Sequence, residues 1–230
     1  MPMPMPSLLS RAARVRCAPF ALFIGLLALR GAAPPDGAWG FDPKWIYAVS
    51  VLLVGMLLWA WRHEYGELFA QTLPQAREAL LAVLVGLVVF GLVITLDTPW
   101  MRLGEATAGF RPVDAGGNLV WPLVAVRWLG AALLVPVMEE LFWRSFLMRW
   151  IEAPQFEAVA PGRVGLRAGV LSTFVFMLAH PLWLSAVLAG FAFAWLYIRN
   201  GRLWSSVIAH GVTNGLLGGW VVLSGNWGFW

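Results

Sequence analysis

Apolar runs of helix length recur along almost the whole chain, near 17–29, 45–61, 79–96, 125–150, 166–181, 183–199 and 203–223. A bilayer core about 30 Å thick takes roughly 20 residues of helix to cross, and backbone polar groups inside it must be satisfied without water. The pattern therefore predicts an all-α, polytopic transmembrane helical bundle of about seven to eight spans. Composition agrees: 60% of the residues are hydrophobic and 12% charged, with a mean hydropathy of +0.74, whereas soluble domains carry roughly 25% charged residues. The expected organisation is a short N-terminal tip over 1–16, disordered or cytoplasmic, followed by one membrane domain over 17–230.

The single cysteine, Cys17, leaves no internal disulfide and no thiolate metal cage. A net charge of +4 and a pI near 10.0 raise the question of nucleic acid, but the arginines are scattered at span ends and serve as topology signals. The Met1–Pro6 alternation has no capacity for helix. Arg11, Arg14 and Arg16 before the run Cys17–Leu29 also fit a signal peptide, against which stand Arg30 directly after the run and the Pro34–Pro35 pair. A cytoplasmic N-terminus and seven spans place Arg62, Arg77, Arg149, Arg163, Arg167, Arg199 and Arg202 inside. Lys44, Arg102 and Arg111 then fall outside, in loops that also hold Asp36, Asp42, Asp97, Glu105 and Asp114. Tryptophans at span ends, among them Trp45, Trp59, Trp61, Trp100, Trp150, Trp183 and Trp204, suit interfacial belts.

Against this background Glu139, Glu140, Arg144, His180, His210 and Asn214 stand inside apolar stretches. An ionisable group at the bilayer centre costs at least ~2.5 kcal/mol on insertion scales, so such residues face a protein interior or a wet cavity and mark a site. On a helix Glu140 and Arg144 share a face and can pair, which suits a structural role. Glu139 is turned roughly 100° away, which leaves it free as the candidate general base. Pro136, a turn earlier, can kink the helix and release carbonyls that need another donor. The turn at His180–Pro181, with no polar linker to the next span, is expected to be buried. His210 and Asn214, again four apart, present two donors on one face, as a developing oxyanion requires.

Each residue also has a plainer reading. His180, His210 and Asn214 can act as interhelical hydrogen-bond donors, Arg127 can snorkel or pair near the outer end of its span, and His63 beside Arg62 and Glu64 suits a solvated surface. Gly211, Gly215, Gly218 and Gly219 allow close helix packing.

Taken together, Glu139–Glu140–x–x–x–Arg144, Phe176–x–x–x–His180 and His210–x–x–x–Asn214 resemble the three ordered motifs of the CPBP intramembrane proteases, which include the Rce1-type CAAX prenyl endopeptidases and the bacterial Abi proteins. The resemblance covers about 125–223. It implies an intramembrane endopeptidase in which Glu139 and His180 activate a water, His210 and Asn214 stabilise the oxyanion, and no cofactor or metal takes part. The ending Trp227–Gly228–Phe229–Trp230 is similar to the CAAX prenyl protease-related proteins of bacterial exosortase systems. That similarity implies a bacterial cytoplasmic membrane and a membrane-anchored sorting tail as substrate, with membrane lipid around it and no nucleic acid.

Two other classes remain open at this level. Glu139, His180 and His210 form a chemically reasonable zinc ligand set with an open position, although no His-Glu-x-x-His helix is present. The same residues could serve a non-catalytic scaffold, immunity protein or transporter.

Overall fold

The computed structural model describes residues 10–34, 40–103 and 109–230. The Met1–Pro6 tip, Pro35, Asp36 and Glu105 lie outside the described residues. Among the described residues seven helices make up the fold: α1 (Arg11–Ala32), α2 (Trp45–Ala60), α3 (Ala76–Thr95), α4 (Trp121–Glu152), α5 (Leu166–Leu178), α6 (Trp183–Asn200) and α7 (Leu203–Ser224). No strand occurs among the described residues, so the molecule is the all-α bundle its apolar runs predict. Four of the helices, α1, α3, α4 and α7, are long and apolar enough to cross a membrane, while α2 and α5 are shorter apolar helices of 16 and 13 residues.

Helix limits follow local chemistry. The first helix starts at Arg11, ahead of the apolar run, because the Ser10 hydroxyl accepts the Ala13 N–H (3.2 Å) and caps the free first turn. Glu78 accepts the Gln75 N–H (2.8 Å) at the start of α3. The fifth helix stops at Leu178, short of the expected 181, since the residue before Pro181 is driven out of helical backbone. At the end of α6, Gly201 takes a φ of 66°, a conformation that favours glycine, and turns the chain back into α7 within two residues.

Close helix approaches build the core. Any Cβ on Gly86 would stand 2.6 Å from the Ala209 carbonyl oxygen and 2.8 Å from Val212 Cβ, so α3 and α7 pack backbone to backbone, and the Thr213 hydroxyl donates to the Gly86 carbonyl (3.0 Å) across that seam. A Cβ on Gly190 would stand 2.8 Å from Thr173 Cγ2, which sets the spacing of α5 and α6. Trp128 lies over Gly218 and Gly219 and donates to the Gly215 carbonyl (2.7 Å), clamping α4 on α7.

The N-terminal helix braces the same assembly. Phe20 stacks on Phe142 of α4 with ring centroids 4.2 Å apart. Arg16 pairs with Glu67 (2.8 Å), whose carboxylate also receives the Ser145 hydroxyl of α4. Arg149 of α4 approaches Glu67 (3.8 Å) and Arg202, just before α7, approaches Glu78 in the first turn of α3 (3.4 Å), so basic groups gather around the start of α3 and the segment before it.

Candidate active site

The fourth helix carries the acids in a departure from regular geometry. π-helical turns occupy Gly130–Leu134 and Leu141–Met148 and bracket the α-helical segment Val135–Glu140. The first has a visible cause. In its wider register the Val135 N–H bonds the carbonyl five residues back, that of Gly130. Pro136 follows and has no N–H for the next carbonyl in line, that of Ala131. The Asn214 side chain of α7 supplies the missing donor, with Nδ2 2.9 Å from Ala131 O. A Cβ at Gly211, one turn before, would meet the Ala132 carbonyl at 2.9 Å, so a glycine there lets α7 come this close.

Glu140 is fully buried. One of its oxygens, Oε1, accepts from Arg144 Nη1 (3.1 Å) and from His210 Nδ1 (2.9 Å), while Oε2 has no protein partner. The pair expected between Glu140 and Arg144 is present, and His210 joins it. Arg144 also donates from Nη2 to the Gly190 carbonyl (3.2 Å) and lies over the rings of Phe176 (4.7 Å) and Phe193 (5.6 Å). His210 stacks on Phe193, centroids 5.1 Å apart. Helices α4, α5, α6 and α7 thus meet at one guanidinium. A buried charge group of this kind is sensitive to the loss of a partner, which leaves the other charge poorly compensated.

Glu139 is not free, as the helical wheel implied. Its Oε2 accepts the indole N–H of Trp143 (3.2 Å), a second i,i+4 pair running beside Glu140–Arg144. It keeps 8% exposure, where Glu140 has none. Trp143 is itself fixed by edge contacts with Phe20, Phe142 and Phe176.

His180 follows the end of α5, half-buried, its Nδ1 2.8 Å from the Phe176 carbonyl. A carbonyl only accepts, so Nδ1 carries the hydrogen and a neutral ring presents the Nε2 lone pair. The turn around it is less buried than expected, with Ala179 and Pro181 exposed, because α5 ends early. Instead, the Pro181 carbonyl receives the Leu103 N–H (2.7 Å) from the loop after α3. No hydrogen bond joins His180 to Glu139 among the described residues. The Phe176 ring lies 4.2 Å from His180 and 5.6 Å from Trp143, the partner of Glu139.

His210 and Asn214 both reach α4, as their spacing predicts, but to different groups: Glu140 and the Ala131 carbonyl. Among the described residues no three His, Cys, Asp or Glu side chains converge where they could hold a metal ion, so the Glu139–His180–His210 set is not assembled. His63 is exposed, as expected. Arg127 stacks on Tyr47 (4.5 Å), and among the described residues it pairs with no acid.

The fold and this cluster define a class: a helical membrane protein with a buried acid–base site among its last four helices. Residues 121–216 match the family model of the type II CAAX prenyl endopeptidase, Rce1-like, and the chain carries an Rce1-like CAAX protease domain over that stretch. All six predicted site residues fall within it. This match and the long apolar helices make the protein an integral membrane protein. Neither a curated protein nor a solved structure matches the chain.

Proposed function

We propose that the protein hydrolyses a peptide bond of a membrane-associated protein with a glutamate-activated water. The observation that carries this reading is the unequal burial of the paired acids: Glu140 is sealed and committed to Arg144 and His210, whereas Glu139 keeps contact with the exterior and has only one oxygen engaged. Glu139 takes a proton from water as the water oxygen attacks the scissile carbonyl carbon, and His180 Nε2 is the second acceptor for water brought between them. The tetrahedral oxyanion is met by the Asn214 amide and by His210. Because His210 donates to Glu140 from Nδ1, a donor at Nε2 requires the imidazolium. When the C–N bond breaks, the proton held by Glu139 passes to the amine nitrogen, leaving a carboxylic acid and an amine.

An apolar cavity of about 680 Å³, lined by Leu58, Trp59, Tyr65, Leu133, Val137 and Trp204, opens between α2, the segment after it and α4. It reaches the turn of α4 just before Glu139 and suits the apolar part of a substrate arriving from the bilayer. A membrane-anchored sorting tail in a bacterial cytoplasmic membrane fits this route, with the protein's N-terminus cytoplasmic.

The test is cleavage of candidate membrane-tail proteins co-expressed with wild type or with Glu139→Gln, and the wild-type reaction repeated in detergent with a strong chelator. Cleavage lost by at least ~10²-fold in Glu139→Gln, the scale of a general base, and unchanged by chelator is expected. Cleavage that persists in Glu139→Gln ends this reading, and chelator loss reversed by zinc moves the site to a metalloenzyme.

A further inference from the structure

At the end of the bundle where α1 stops and α4 begins, two guanidinium groups lie on one aromatic cluster. The Arg127 Cζ atom is 4.5 Å from the Tyr47 ring centroid and 5.9 Å from those of Phe110 and Trp230. Arg30 Cζ lies 5.3 Å from the same Phe110 ring. Both arginines are half-buried. Among the described residues neither meets a carboxylate, no protein acceptor takes any of their side-chain N–H groups, and Arg127 Nε is sealed from solvent without a partner.

Ring faces compensate little of this charge. A cation over an aromatic ring gains about 0.5–2 kcal/mol, whereas withdrawing an ion from water costs several kcal/mol unless a counter-charge and hydrogen bonds replace the lost hydration. Two planar forks whose donors meet no acceptor among the described residues, held in place by packing, are the arrangement a tetrahedral oxyanion complements. Their depth selects the anion. Trp45 and Trp121 flank this end with 43% and 63% exposure, as indoles do at headgroup level, and the oxyanion abundant there is lipid phosphate.

We propose that Arg30 and Arg127, backed by Tyr47, Phe110 and Trp230, bind the phosphate of an anionic phospholipid headgroup. The site stands apart from Glu139 and does not depend on the peptidase reading.

Native mass spectrometry of the full-length protein in detergent, titrated with phosphatidylglycerol, phosphatidylcholine or inorganic phosphate, tests it. Saturable retention of phosphatidylglycerol is expected, weakened at least about tenfold in Arg127→Gln and in Arg30→Gln, the loss when one of two charge-assisted contacts goes. Equal retention of phosphatidylcholine and phosphatidylglycerol, or variants that match wild type, overturns the proposal. Displacement of the lipid by inorganic phosphate at similar concentration keeps the oxyanion site but assigns it to a soluble anion. Should either variant misfold, wild type alone decides: a rise in unfolding temperature with phosphatidylglycerol over phosphatidylcholine supports the site, and no difference removes it.

Discussion

His210 Nδ1 and Arg144 Nη1 converge on one oxygen, Glu140 Oε1, at 2.9 and 3.1 Å, so α7 is tied to α4 through a carboxylate that also neutralises a buried guanidinium. Arg144→Met is therefore expected to destabilise the protein by about 3–5 kcal/mol, because it takes the guanidinium from the buried Glu140 and leaves it His210 alone. Glu140→Gln combined with Arg144→Met removes both charges and recovers part of that loss. Unfolding in mixed micelles measures both, and a double variant no better than Arg144→Met would show that the charges are not coupled.

Trp143 holds Glu139 through the indole N–H and is itself wedged between aromatic rings. Trp143→Phe keeps the ring and loses the donor. A hydrogen bond to a charged group contributes about 1.5–3 kcal/mol, and its loss here frees the carboxylate to rotate. The expected result is a turnover number about tenfold or more lower with KM little changed, the mark of an interaction that acts on the reacting geometry. A KM effect alone would place Trp143 in substrate binding instead.

Much of this arrangement was legible in the chain and some was not. Spans, the Glu140–Arg144 pair and the common direction of His210 and Asn214 follow from period and spacing, since they are properties of single helices. Glu139–Trp143 was equally readable at i,i+4, but indole donors are easily overlooked inside an aromatic run. The Gly190 carbonyl, the Phe193 face under His210 and the π-helical turns around the acids depend on where one helix meets another, which periodicity does not encode. The position of His180, against the Phe176 ring that also packs on Trp143, belongs to the same category.

Asn214 supplies the N–H that Pro136 lacks, by donating to the Ala131 carbonyl. Asn214→Leu leaves that carbonyl unpaired at a cost of about 1–3 kcal/mol. In Pro136→Ala a backbone N–H becomes available to the same stretch, so the double variant Pro136→Ala/Asn214→Leu is expected to be more stable than the sum of the single changes by about 1 kcal/mol, as coupled neighbours are. Peptidase activity separates the two roles of Asn214. If its amide also stabilises the oxyanion, the double variant regains stability but not turnover. Recovery of both would confine Asn214 to helix packing.

Glu67 links Arg16 of α1 to Ser145 of α4 outside the spans. Burial pushes its carboxyl up, but the Arg16 hydrogen bond and charge, with Ser145, outweigh burial and hold it below its ordinary value of 4.5. A carboxyl whose folded pKa is depressed contributes stability above its unfolded value and loses it as pH falls through the folded one. Wild type should therefore weaken as pH drops below about 4.5, with α1 releasing from α4 as Arg16 loses its partner. Glu67→Gln should be less stable than wild type near pH 7 and converge with it in acid, as measured by chemical unfolding across that range. Parallel curves at every pH would assign the acid sensitivity to other carboxylates, such as Glu64, which Arg11 also holds below its ordinary value.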